Sequence, residues 1–170
     1  MLLKPKIYFA KIRPDAIIPS KSEENAGYDI YACFKEDYIV LRPHETKMIP
    51  TGIASACSDE YYFQLFERGS TGTKGIGQRC GVIDSGYRNE WFVPITNHND
   101  KPLAIIKDDA SKDHIIRGWG NFTIFYPYKK AICQAVLLPV PKVDIEEIHY
   151  EILVEIESER GMGLLGSTNK

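Results

Sequence analysis

A chain of 170 residues can bury a continuous core as one domain without disulfides or a structural metal. Its 21 basic and 23 acidic residues leave a formal charge of -2, which excludes the cationic footprint that binds nucleic-acid backbones or anionic membranes. Cys33, Cys57, Cys80 and Cys133 lie far apart with no C-x-x-C pair, which argues against a zinc site or a disulfide scaffold and for reduced thiols in a cytoplasmic protein.

In chain order the apolar pattern is short and strand-like. Residues 7–12 open it, after a start interrupted by Lys4 and Lys6, and no later segment reaches the ~18 uninterrupted apolar residues that a membrane-spanning helix needs. Residues 26–32 read as a turn entering a strand. The runs 38–41 and 61–66 are further strands, bounded by Pro, Gly, Asn or Asp. Residues 70–75 suit one helical turn, and residues 83–90 suit a hairpin whose Ser-Gly and Asn supply the turn conformations. Residues 97–121 carry a cluster of charges around 103–106 and read as a long excursion between two core strands. Residues 132–138 form another strand. At the end, Ile148, Tyr150, Ile152, Val154 and Ile156 alternate with mostly polar residues, the period of a half-buried strand. The expectation is an all-β fold, an antiparallel barrel or jelly-roll-like sandwich over residues 1–156, followed by a mobile arm at 157–170.

Two glycine patterns point toward nucleotide folds that this chain does not fit. Residues 161–166 match G-x-G-x-x-G, but only four residues follow Gly166, too few for the helix that would hold a pyrophosphate. In residues 69–74 Lys74 is followed by Gly75, so the Gly-Lys-Ser/Thr order of a P-loop is missing. Taken singly, Asp29 is an ordinary turn carboxylate, Arg68 a solvated arginine and Asp84 part of a hairpin. Gln134 is less bland, because a buried amide within an apolar strand needs its hydrogen bonds used; on pattern alone a place on the solvent face is equally good.

As an ordered set these segments resemble the five motifs of the trimeric dUTPase family: A-G-Y-D-I-Y-A at 26–32, R-G-S-T-G-T-K-G-I at 68–76, G-V-I-D-S-G-Y-R at 81–88, I-C-Q-A-V-L-L-P-V at 132–140 and R-G-M-G-L-L-G-S-T at 160–168. The resemblance implies hydrolysis of dUTP to dUMP and pyrophosphate, in a homotrimer, with Mg²⁺ held mainly by the triphosphate. It implies that Asp84 orients the attacking water and that Asp29 acts on the metal through water or by orienting Arg68. Arg68, Gly69, Ser70, Thr71, Gln134 and Arg160 would meet the phosphates, and Ser167 and Thr168 the γ-phosphate. Val82 and Ile83 would offer main-chain groups to uracil, Tyr87 would lie beneath the deoxyribose, and Gln78, Phe92 and Leu165 complete the expected substrate contacts.

Three departures from the family pattern stand out. Gly69 occupies a place where the family has Ser, so Ser70 or Thr71 must compensate. Leu165 replaces the aromatic that stacks on uracil from the tail, which leaves Phe92 or Trp91 to supply an apolar lid. The excursion at 97–121 is longer than the family's usual turn; it reads first as a tolerated surface insertion and second as a site for a protein partner. Some phage-encoded relatives carry extra segments there, in keeping with a phage or prophage type. Two rival readings are a dCTP deaminase, for which Glu90 is the only obvious carboxylate near an exocyclic amine, and a binding module in which nucleotide switches a partner contact.

Overall fold

Short apolar runs separated by turn residues cannot satisfy their backbone groups alone and must pair across the chain. In the computed structural model, which describes residues 4–79 and 81–163, they do so as β1 (Ile7–Lys11), β2 (Tyr28–Ile30), β3 (Tyr38–Leu41), β4 (Thr46–Pro50), β5 (Ile53–Cys57) and β6 (Tyr61–Phe66). After the single turn α1 (Gly69–Gly72) come β7 (Ile76–Gln78), β8 (Val82–Ile83), β9 (Phe92–Asn97) and β10 (Leu103–Ile106). A 3₁₀ turn (Asp109–Ser111), α2 (Lys112–Trp119), β11 (Ile124–Pro127), β12 (Cys133–Pro139) and α3 (Tyr150–Glu155) complete the order. The strands form four small sheets, β1–β5, β11–β10–β3, β2–β12–β6–β8 and β4–β9–β7. Among these pairings only β10 with β11 is parallel. The expected all-β, jelly-roll-like architecture is what forms.

The largest core cluster draws on strands of every sheet, with Ile30, Leu41, Ile53, Phe63, Val93, Ile95 and Leu103 all buried. Its aromatic centre is Phe9, Phe63 and Trp91, with ring centroids 5.2 Å apart for Phe63–Trp91 and 5.4 Å for Phe9–Phe63. Trp91 is 0% exposed. That burial corrects its place as a candidate lid over the base, since a side chain enclosed by aromatic neighbours cannot also reach a ligand.

The excursion is also corrected. Residues 97–121 are not one surface loop: Asn97 is buried, and its amide donates to the carbonyls of Arg42 (3.1 Å) and Lys101 (2.7 Å). Leu103–Ile106 is a fully buried strand between β3 and β11, so its apolar side chains are unavailable to a partner. The part outside the barrel is shorter, the 3₁₀ turn and α2, and α2 inserts Ile115 against Val40, Ala104 and Ile106 as a second small core.

The strand expected at 148–156 is a helix. Tyr150–Glu155 is α-helical and none of its residues is buried. The alternation there is interrupted by Leu153 between Ile152 and Val154. No neighbouring strand pairs with this segment among the described residues, so its backbone hydrogen bonds close locally in the way a helix allows. The chain parts into two compact units, Met1–Val140 and Pro141–Lys170, and α3 belongs to the second. Among the described residues no helix is long and apolar enough to cross a membrane.

Candidate active site

The residues singled out in the first unit gather at separate clefts. The first cleft follows from the β8 hairpin. The turn closes through the Tyr87 N–H to the Asp84 carbonyl at 3.0 Å, and Arg88 braces it from outside by donating to the carbonyls of Ser85 and Ser55. Asp84 is thereby placed at the rim of a cleft of about 360 Å³ whose other walls are Met48, Val82, Ile83, Tyr87, Phe92 and Pro94. Its carboxylate is exposed and has no hydrogen-bond or ionic partner among the described residues. In such a cleft an unpaired carboxylate is free to hold water against a bound molecule.

The second constellation is built on pairing between β2 and β12, which sets Asp29 opposite Gln134. Arg68 follows β6 and reaches across to Asp29 with two nitrogens, Nε to Oδ1 at 3.0 Å and Nη2 to Oδ2 at 3.4 Å. Its Nη1 donates to the Ala131 carbonyl at 3.3 Å and to Ser70 Oγ at 3.4 Å. Gln134 donates its amide to the Glu67 carbonyl at 2.9 Å. Gly27 permits this arrangement, because a Cβ there would come within 2.5 Å of Gln134 Oε1. Glu24, Asn25, Gly27, Asp29, Arg68 and Gln134 line one cleft of about 420 Å³. On the other side of the Arg68–Asp29 pair, Ser70, Lys74, Tyr126, Lys129 and Lys130 line a second, of about 350 Å³. Burial pushes the Tyr126 phenol above its ordinary pKa against the opposing pull of Arg68, so the floor of this cleft stays a neutral hydroxyl, bonded to the Ala131 carbonyl at 2.6 Å.

Several expected contacts fall elsewhere. Thr71 is 1% exposed, and its hydroxyl accepts from the Arg68 N–H and donates to the Arg68 carbonyl. It shapes the turn under Arg68, which corrects its assignment as a phosphate ligand: a buried hydroxyl used twice on the backbone has nothing left for substrate. Gln78 lines none of the three clefts; its N–H goes to Glu67 Oε1 and its amide to the Arg79 carbonyl. Glu90, the carboxylate the deaminase reading needs, is held by Arg13 at 3.2 Å and by the Gly52 N–H at 2.8 Å. Both of its oxygens are engaged away from the Asp84 cleft. Arg160 lies in the second unit, where its Nε donates to the Gly163 carbonyl at 3.2 Å. Leu165, Ser167 and Thr168 lie outside the described residues.

The sequence reading missed Met48 and the lysines. Lys129 and Lys130 stand just before the fourth motif, with only Ala131 between, a signal that could have drawn attention to them; nothing near Met48 in the sequence announces that β4 carries it to the rim beside Pro94.

Gly69 has no atom within 4 Å of where a Cβ would stand. Gly69→Ser therefore fits without strain. If a hydroxyl at this place assists the leaving oxygen, the substitution should raise turnover of dUTP about two- to tenfold, the worth of one added hydrogen bond. Steady-state kinetics checks this, and an unchanged or lower kcat at unchanged melting temperature would count against a phosphate-facing position for residue 69.

The family model described as dUTPase matches residues 13–110. The dUTP nucleotidohydrolase of Nautilia profundicola is 31% identical over 97% of this chain and 99% of its own length. That of Leptospira interrogans is 36% identical over 59% of this chain and 71% of its own. Among solved structures, a mutant dUTPase of Staphylococcus bacteriophage 80alpha with dUpNHpp superposes with a TM-score of 0.71 at 21% identity, covering 96% of this chain and 98% of that one. With over half of the chain inside the family model and a relative matched nearly end to end, this protein belongs to the dUTPase family.

Proposed function

We propose that the protein hydrolyses dUTP to dUMP and pyrophosphate, with Asp84 aiming water at the α-phosphorus. The observation that carries this reading is the unpaired Asp84 carboxylate at the edge of an otherwise apolar cleft, beside a family membership shown on sequence. The base and sugar would enter along Val82 and Ile83. Cytosine presents an amino donor where uracil presents an acceptor, so a main-chain group suited to one faces the wrong partner in the other. Tyr87 would pass beneath the deoxyribose and Phe92 would form an apolar wall. Asp84 contributes by holding its water in line, an orientation effect. Arg68 contributes charge: its guanidinium, fixed by Asp29, would stabilise the negative charge that grows on the leaving group. Gln134 keeps one amide hydrogen beyond its bond to Glu67 and can give it to the phosphates.

When bound, Mg²⁺ would neutralise phosphate charge and polarise the bond that breaks. The residues suit an ion carried in by the triphosphate. Both Asp29 oxygens already accept from Arg68, so Asp29 would meet a metal through water, and among the described residues no group of three metal-ligating side chains occurs.

Two features support a homotrimer with shared sites. The Asp84 cleft has no lining residue in common with the clefts around Arg68. Met48 and Val82, 59% and 60% exposed beside Asp84, are apolar surface that a second copy would cover. In this reading the fifth motif, with Arg160, Ser167 and Thr168, adds to the phosphate contacts as the family resemblance implies. We place the protein in the cytoplasm, acting on free nucleotide.

The test offers dUTP, dCTP, UTP and dTTP with Mg²⁺ and assays pyrophosphate and ammonia together. Pyrophosphate from dUTP alone is expected. Ammonia from dCTP, or no product from any of the four, would refute the assignment.

A further inference from the structure

The Arg68–Asp29 pair stands between two clefts of opposite electrostatic character. On the Gln134 side the lining includes two carboxylates, Glu24 and Asp29, and the one guanidinium. On the Tyr126 side the same guanidinium is joined by Lys74, Lys129 and Lys130, with Asp29 the only carboxylate. Lys129 and Lys130 are exposed and have no carboxylate partner among the described residues. Lys74 Nζ lies 5.7 Å above the Tyr126 ring.

The placement is built into the backbone. The turn carrying both lysines closes through the Lys130 N–H to the Pro127 carbonyl at 3.0 Å. The next residue, Ala131, accepts through its carbonyl from both Tyr126 and Arg68. The lysine turn and the arginine are thus fixed to a common point. Like charges collected round one concave surface repel each other, and a multiply charged anion is the ligand that relieves the repulsion. The neutral Tyr126 hydroxyl and the Ser70 hydroxyl leave that positive potential uncancelled.

We infer that this lysine-rimmed cleft binds the pyrophosphate portion of the nucleotide, with Lys129 and Lys130 supplying its charge. The inference rests on the proposed hydrolysis of dUTP and extends it to residues outside the five motifs. The same charges account for phosphate binding in a chain that has Gly at position 69 and a Thr71 hydroxyl committed to the backbone.

Calorimetry with inorganic pyrophosphate and, separately, dUMP tests this directly on the full chain in Mg²⁺ buffer. The variants are K129A/K130A and, as a control that removes the same charge from exposed lysines outside the cleft, K4A/K6A. The pyrophosphate Kd should rise about tenfold in K129A/K130A, the sum of two exposed ionic contacts. It should stay unchanged in K4A/K6A, and dUMP affinity should be equal in all three proteins. The KM for dUTP should rise by the same factor in K129A/K130A, with kcat nearly constant. Wild-type protein that fails to bind pyrophosphate overturns the inference, as does an unchanged pyrophosphate Kd in K129A/K130A, an equal rise in K4A/K6A, or dUMP weakened as much as pyrophosphate. Absence of dUTP turnover in the wild type would refute the activity instead, because the pyrophosphate titration does not depend on turnover.

Discussion

Asp84→Asn should lower kcat for dUTP about a hundred- to ten-thousandfold, the usual worth of a carboxylate that positions and polarises an attacking water. The amide keeps the size of the side chain but loses its charge and one acceptor. The Asp84 side chain has no partner to lose among the described residues: its main-chain carbonyl is used within the fold, by the Tyr87 N–H. The melting temperature should therefore stay within about a degree, since exposed substitutions of this kind cost little. Affinity for a non-hydrolysable dUTP analogue should hold or improve, because one negative charge near the phosphates is removed. Pyrophosphate release and calorimetry on the same preparation separate the two effects. A variant with undiminished turnover would mean that the water is held elsewhere.

Arg68→Ala should reduce kcat/KM about a hundred- to a thousandfold, the scale measured when one preorganised electrostatic donor is removed from a reacting centre. Three features make Arg68 hard to replace. Its fork meets both oxygens of Asp29, it bonds to Ala131, and it reaches Ser70. Lysine has one nitrogen and no fork, so Arg68→Lys should recover only a minor part of the loss. Both side chains of the pair are about a third exposed, 29% and 35%, so the pair itself stabilises the fold by no more than about 1 kcal/mol. A loss of activity far beyond the loss of stability is the expected signature. Equal activity of the lysine and arginine proteins would show that geometry at this position is unimportant.

Both effects concern residues legible in the amino-acid sequence. Asp84 and Arg68 stand in motifs whose order along the chain carries the family resemblance, and the strands around them alternate or run apolar in ways that read as β structure. Less legible was the state of each polar group. Thr71 and Ser70 are neighbours of the same chemical kind, yet one hydroxyl is buried on the Arg68 backbone and the other faces a cleft. In the sequence Glu90 is a candidate carboxylate for a deaminase, whereas in the fold Arg13 and the Gly52 N–H hold it. Sequence spacing does not encode such partners, because they come from strands distant along the chain.

The same limit explains the misread segments. Leu103–Ile106 looked like part of an excursion because its flanks are charged, but burial depends on β3 and β11 closing over it. Residues 148–156 alternate like a strand, but without a partner to take up the backbone hydrogen bonds among the described residues they coil into α3.

By itself, then, the amino-acid order determined the β class and the family, and it singled out the two charged groups proposed to carry the chemistry, since period-two patterning and motif spacing are local properties that survive without a fold. The tertiary structure alone decided which carboxylate is free, which hydroxyl is spent and where the unassigned lysines converge. Those are questions of what stands within a few ångströms, and proximity between remote segments exists only once the chain has packed.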